Sequence, residues 1–271
     1  VRNYGIVRLK MINTHEEIEA LRECSYPDFV AYIGQNNTPP GGDKTVATWH
    51  EKSRVTSDSR VLDLACNTGF SGRWSHAHAG ATVTGIDLSE KAIQEARRLA
   101  PNGMRCTYVV GDAADLPFND AEFTHILAGS NFGFITERAT ALAETRRVVQ
   151  ATGYLCTSSY YYTAKPPDAV LDSVAAAIGW HPDTRRTFSF WQDFFSQYFT
   201  IEYEQHIEIE PMGRRAVLAA AEYFIHLDSV TMRKRPSAVR DAACRRLQAI
   251  RLALDEHRKY QGLVLSVWRP L

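Results

Sequence analysis

The stretch Arg60-Val61-Leu62-Asp63-Leu64-Ala65-Cys66-Asn67-Thr68-Gly69-Phe70 decides the fold of this chain. Residues 61–65 read as a buried parallel strand, Asn67-Thr68-Gly69 as a tight turn of small residues, and a helix is expected to start just beyond. A turn of this kind lets a ligand approach the backbone and points helix N–H groups at its anionic end. A second strand, residues 81–86, runs into Asp87, 18 residues after Gly69. A carboxylate there lies beside the first turn, at the height where a nucleoside ribose exposes its two hydroxyls. A third strand, residues 105–110, runs into Gly111-Asp112-Ala113. Three successive strands thus finish in a small or acidic residue on one edge of a sheet.

Working outward, the alternation of strand and helix continues, which implies a parallel sheet with helices on both faces. Helices are expected at about 70–78 and 89–99, the latter capped by Ser89, and the fourth strand at 123–128 leads into Gly129-Ser130-Asn131-Phe132-Gly133-Phe134. A helix at 135–149 and a fifth strand at 154–160 follow. Beyond it Pro166-Pro167 introduces a helix at 168–179, Thr187 opens an aromatic-rich helix to 195, and residues 198–210 alternate as a sixth strand. Helices at about 214–227 and 238–258 precede a last strand at 263–268. Ahead of the core, Thr14-His15-Glu16-Glu17 reads as a capping box for a helix at 15–24, with a short helix at 28–34. Residues 35–42 form a loop rich in turn formers, and a helix at 45–52 leads into the first strand. Residues 1–10 read as an upstream extension or an alternative start and are given no fold role.

At this point the chain resembles the class I S-adenosylmethionine-dependent methyltransferases, most closely their small-molecule branch of ubiquinone- and menaquinone-methyltransferase type. The residues that carry the resemblance are Val61-Leu-Asp-Leu-Ala-Cys-Asn-Thr-Gly69, Gly85-Ile-Asp-Leu-Ser89, Gly111-Asp-Ala-Ala-Asp-Leu-Pro-Phe118, and Glu144-Thr-Arg-Arg-Val-Val149 with Gly153. Together they span about residues 45–160. Two departures stand out. The family's Asp-x-Gly-x-Gly-x-Gly turn keeps Asp63 and Gly69 but carries Ala65 and Asn67 at two glycine positions, and an acidic residue often found early in the fourth strand is Thr124.

The resemblance implies an α/β, Rossmann-like, mostly parallel sheet of seven strands, the last antiparallel. It divides the chain into an N-terminal helical flap at 1–44 and a methyltransferase domain at 45–271 with helical cap insertions at about 165–198 and 211–260. It further implies a cosubstrate, S-adenosylmethionine, released as S-adenosylhomocysteine. Ala65, Cys66, Asn67 and Gly69 would line its methionine part, and Asp63 would bind the ammonium directly or through water. Asp87 would accept both ribose hydroxyls and Leu88 would pack on the adenine. Asp112 would take the adenine amino group, Ala113 would supply a backbone donor, and Gly129 would meet the methionine end. The flap adds Tyr32 as a contact.

Methyl transfer at a sulfonium depends on collinear positioning, and a base is needed only where a proton must leave early. No decisive base appears; His181, His226 and Tyr160 are the candidates. Phe132, Phe134, Tyr160, Tyr162, Phe188, Phe190, Trp191 and Tyr198 fall near the ligand edge, which favours a small apolar or aromatic acceptor methylated on carbon, nitrogen or oxygen. The composition, 45% hydrophobic and 23% charged with zero net charge, is that of an ordinary globule without a global field for nucleic acid or an anionic membrane. Residues 211–260 nevertheless carry eleven Lys/Arg against five Asp/Glu, which keeps an RNA-directed enzyme as one rival. A non-methylating cyclase or regulatory protein is the other. The five scattered cysteines form no C-x-x-C pair, so neither metal nor disulfide framework is expected and a reducing cytoplasm fits. No apolar run reaches membrane-spanning length and no secretory h-region opens the chain. Exposed helical segments at both ends would permit a homo-oligomer.

Overall fold

The computed structural model describes residues 13–36 and 38–271; the reading of residues 1–10 lies outside them. Three helices lead in: α1 (Thr14–Glu23), α2 (Tyr26–Tyr32) and α3 (Asp43–Ser53). The core then runs β1 (Arg60–Leu64), α4 (Phe70–Ala79), β2 (Thr82–Asp87), α5 (Glu90–Leu99), β3 (Cys106–Val110), β4 (Phe123–Gly129), α6 (Arg138–Val148) and β5 (Val149–Tyr162). After it come α7 (Asp168–Ile178), α8 (Phe188–Phe195), β6 (Phe199–Ile207), α9 (Arg214–Tyr223), α10 (Ser237–Arg258) and β7 (Gln261–Pro270).

The seven strands take the order β3-β2-β1-β4-β5-β7-β6. The first five are parallel, while β7 pairs antiparallel with both β5 and β6. The central strands are apolar on both faces because both are covered. Val61, Val83, Leu127 and Cys156 pack with Val46 and Trp49 of α3 on one face. Leu62, Leu64, Ile126 and Leu155 pack with Leu142 of α6 and with Trp191, Phe194 and Phe195 of α8 on the other. Parallel order with the reversal between β1 and β4 opens a crevice at their carboxyl ends, the place where such sheets bind ligands.

A second core stands apart from the sheet. Leu21 of α1, Phe29 of α2, Val174 of α7, Ala221 of α9, and Val239, Leu247 and Ile250 of α10 bury against one another. The leading helices and the late helices therefore share one apolar core. Its α10 end is pinned to the sheet where the Tyr162 hydroxyl meets His257 Nε2 at 2.7 Å and Thr163 N–H donates to the Tyr260 carbonyl at 3.0 Å.

Local boundaries differ from the sequence reading for definite reasons. The cap of α1 is Asn13, not Thr14: its side chain accepts His15 N–H, and Glu16 returns to its backbone. Strand β5 begins at Val149 because the chain leaves α6 already extended and pairs with Phe123. Helix α9 stops at Tyr223 and widens into a π-helical turn through Asp228. Thr124, standing where an acid is common, uses its hydroxyl to take Arg60 N–H at 2.9 Å and return to Arg60 O at 3.1 Å, which ties β4 to β1 at the end away from the crevice.

Candidate functional site

The turn after β1 combines strained backbone with a carboxylate that holds it. Ala65, Asn67 and Gly69 have φ of +47°, +46° and +75°. That left-handed region costs most L residues roughly 1–2 kcal/mol. Ala65 and Asn67 thus keep the backbone that the family pattern assigns to glycine. Asn67 N–H donates to Asp87 Oδ2 at 2.8 Å, and its side chain accepts Thr68 N–H at 2.9 Å. The other Asp87 oxygen takes Ser89 N–H at 2.9 Å. Gly69 is required twice over, since a Cβ there would stand 2.5 Å from the ring of Tyr108.

Asp87 at the end of β2 therefore clamps the turn with one lone pair on each oxygen. Burial raises its carboxyl above the ordinary carboxylate value even with two N–H donors in place. Asp63 is more deeply enclosed, at 4% exposure. It accepts Gly72 N–H at 2.8 Å and so fixes the first turn of α4, and burial pushes its carboxyl up to about 7. Cys66 is buried and its thiol is pushed well up by the same cause, which fits a space-filling residue and not a nucleophile.

On one flank Leu88 projects into solvent at 69% exposure, and Asp112 binds Ala114 N–H at 2.8 Å through one oxygen only. Ala113 is buried beside it. On the other flank β4 ends at Gly129, where Ser130 turns left-handed and donates to the Ser158 carbonyl at 2.9 Å. Asn131, a residue the sequence reading did not single out, donates through Nδ2 to the Leu64 carbonyl, and its Oδ1 is buried with no hydrogen-bond partner. A buried acceptor left open beside the crevice is an invitation to an N–H-bearing ligand.

Helix α2 and the connector that follows it lie over this crevice and are fixed at several points. Ser89 Oγ donates to Asp28 at 2.7 Å and Lys91 pairs with it at 3.2 Å. Arg73 of α4 donates to Asn36 Oδ1 at 3.1 Å and to the Thr68 carbonyl. Pro39 lies against Gly129, so close that a Cβ on the glycine would meet it at 2.9 Å.

Several expected site residues lie elsewhere. Tyr32 turns its hydroxyl to Glu17 and carries Arg235 over its ring at 5.5 Å, so it belongs to the helical core and not to the crevice. His226 sits on the π-helical turn, 3.9 Å from Asp241. Asp241 is 17 residues from Arg258, about 25 Å along α10 from the sheet edge at 1.5 Å per residue; His226 is thereby removed from the site. Phe132 and Trp191 are core residues at 2% and 3% exposure. Phe188 packs on Tyr161 and His206 near β6. The aromatic wall at the crevice is narrower, Phe134 beside Trp180 at 5.1 Å, while Tyr160 lies farther along β5 beside Arg258. His181, next to Trp180, has its Nδ1 3.3 Å from the Pro182 carbonyl. Tyr160 has its hydroxyl kept protonated by burial, which makes it a poor base. The basic run Arg233-Lys234-Arg235 is partly neutralised, Arg235 pairing with Glu17 at 3.2 Å. Among the described residues no group of three or more His, Cys, Asp or Glu is placed to hold a metal, and no helix is long and apolar enough to cross a membrane.

With this geometry in place, comparisons with known proteins are specific. The family described as "Methyltransferase domain" matches residues 61–153. The malonyl-[acyl-carrier protein] O-methyltransferase of Erwinia pyrifoliae is 38% identical over 110 residues, 40% of this chain and 40% of its own length. A demethylmenaquinone methyltransferase of Thermotoga maritima is 36% identical over 97 residues, 35% of this chain and 41% of that one. The matches span 62%, 40% and 49% of the first three curated relatives. Among solved structures, the MccD protein is 36% identical with a TM-score of 0.74, covering 87% of this chain and 100% of its own.

Proposed function

Since this chain belongs to the class I S-adenosylmethionine-dependent methyltransferases, we propose that it transfers the methyl group of S-adenosylmethionine to a small-molecule acceptor by in-line displacement. The observation that carries the reading is the clamp of Asp87 on the left-handed turn at Asn67, with the carboxylate's remaining lone pairs available to a ribose. The residues fit the cosubstrate. Asn131 Oδ1 is an open acceptor for its ammonium, Leu88 is an apolar surface for adenine, and Asp112 keeps one oxygen for the exocyclic amine. When bound, S-adenosylmethionine supplies an electrophilic methyl on a cationic sulfur.

The chain's own work is then binding, orientation and exclusion of water. Asp63, Asp87 and Asn131 orient the two ends of the cosubstrate, and Pro39 on Gly129 closes the space above its methionine part. Phe134 and Trp180 offer rings to the apolar body of the acceptor. Holding reactants in line can supply roughly 7–11 kcal/mol of the barrier, so the absence of a decisive base is compatible with turnover. The acceptor's oxygen, nitrogen or carbon nucleophile attacks as the C–S bond breaks, and S-adenosylhomocysteine leaves.

The test uses S-adenosylmethionine labelled in the methyl group, incubated with the protein and a small-molecule extract. Label in a low-molecular-weight product together with S-adenosylhomocysteine supports the proposal. Label in RNA, or 5′-methylthioadenosine in place of S-adenosylhomocysteine (transfer of the amino-acid arm instead of the methyl), would overturn it.

A further inference from the structure

The edge of β5 beyond the crevice carries cations without carboxylate partners. Tyr160, two residues past the Ser158 carbonyl that receives Ser130 N–H, lies beside the Arg258 guanidinium. Tyr26 of α2 faces Tyr160, Arg258 and Arg251. Arg251 and Arg258 stand seven residues apart on α10, about two turns, and therefore on one face. That face is held on the sheet edge by the 2.7 Å bond between His257 and Tyr162.

Arg251 finds only Gln35 Oε1 at 3.4 Å and the ring of Phe224 at 5.7 Å. Among the described residues neither Arg251 nor Arg258 forms an ion pair, whereas Arg147 takes both Glu144 and Asp120, and Arg269 takes Glu202. Of the two acids lying between them on α10, Asp255 is buried and spends its oxygens on Met212 N–H and Gly213 N–H at 2.8 and 2.9 Å, and Glu256 pairs with Lys259 at 2.6 Å. Burial lowers the Arg251 guanidinium below its ordinary value, and no acid offsets it. Across Tyr162, Arg186 is 5% exposed and, unlike Arg251 and Arg258, has an acid beside it, Asp183 at 3.9 Å.

Half-buried guanidiniums without counter-charge are costly unless a ligand supplies the charge. We propose that the acceptor carries a phosphate ester, received by Arg251 and Arg258 with the hydroxyls of Tyr26 and Tyr160. A dianion with three terminal oxygens matches two cations and two phenols, and guanidinium is the side chain best shaped for it; a carboxylate would leave one cation unmatched. Gln35, bonded to Arg251, is followed at once by Asn36, which Arg73 ties to the turn after β1. The phosphate subsite therefore adjoins the cosubstrate crevice, and the acceptor's body spans the two. This rests on the methyltransferase reading, which it sharpens to a substrate class.

The experiment titrates phenyl phosphate, with benzoate as a second probe, into the protein saturated with S-adenosylhomocysteine, following heat. Phenyl phosphate is expected to bind, Arg258→Gln and Arg251→Gln each to weaken it about 10–100-fold, and Arg258→Lys to recover part of the loss. Arg233→Gln, on the outer surface, is expected to change nothing. Unchanged phenyl phosphate affinity in both glutamine variants, no binding to the wild-type protein, or benzoate binding as tightly, would each overturn the assignment. S-adenosylhomocysteine affinity measured on the same samples separates the two claims. Its loss in the wild-type protein would sink the methyltransferase reading, while its retention without phosphate binding would sink only this one.

Discussion

Replacing Asp87 probes the clamp and the cosubstrate together, and the two effects can be separated. The carboxylate accepts Asn67 N–H and Ser89 N–H at 2.8 and 2.9 Å, and two lone pairs remain for ribose hydroxyls. A hydrogen bond to a charged acceptor contributes about 1.5–3 kcal/mol. Asp87→Asn keeps one acceptor oxygen and sets an amide N–H₂ against one of the two backbone donors. It should cost about 1.5–3 kcal/mol of folding stability and a similar amount of S-adenosylhomocysteine affinity, roughly 10–150-fold at 1.4 kcal/mol per decade. Asp87→Ala removes both ribose contacts, and its binding loss should be about twice that in free energy. Urea unfolding reports the first quantity and isothermal titration calorimetry the second. A folded Asp87→Ala protein that binds S-adenosylhomocysteine within about threefold of wild type would refute the assignment of the β2 carboxylate.

Other residues give equally definite expectations. Burial lifts Asp63 to about 7, so below that pH the folded chain holds it protonated; its contribution to stability is present below its unfolded value and is lost as pH rises through about 7. An ammonium nearby favours the ionised form, so S-adenosylhomocysteine affinity should climb with pH up to about 7 and then level, with proton release seen as buffer-dependent heat; Asp63→Asn should flatten the profile, and a flat wild-type profile would count against the contact. Ala65→Gly relieves a φ of +47° and should raise stability by about 0.5–1 kcal/mol in urea unfolding. Gly69→Val meets both the left-handed backbone and the Tyr108 ring, and should lower stability by about 2–4 kcal/mol. Tyr32→Phe should cost about 1 kcal/mol in the helical core and leave S-adenosylhomocysteine affinity unchanged.

The sheet was legible because its strands are fully buried runs ending in chemically distinctive residues. Asp63, Gly69, Asp87 and Asp112 stand at fixed distances from those runs, and spacing alone put them on one edge. Residues whose role depends on a distant partner were not legible. Tyr32 looked like a flap contact because nothing local announces its bond to Glu17. Phe132 and Trp191 looked like pocket walls because aromatic content does not reveal which face of a helix meets the sheet. Asn131 lay within a recognised run of small residues, but its orphaned oxygen depends on Leu64, 67 residues earlier. The basic excess at 211–260 was legible as a charge count, but not which of its arginines turn inward. At 251 and 258 the arginines share the stripe of Leu247 and Leu254 that packs inward. Even the departures at Ala65 and Asn67, visible from the first line, needed backbone angles to show that the turn survives them.

A crystal structure of the protein with S-adenosylhomocysteine tests the central claim most directly. The ribose should lie on Asp87, the adenine on Leu88, the ammonium at Asn131, and the sulfur should point toward the Tyr160 side of the crevice. An empty crevice at saturating ligand, or the nucleoside seated away from the ends of β1 and β2, would contradict it.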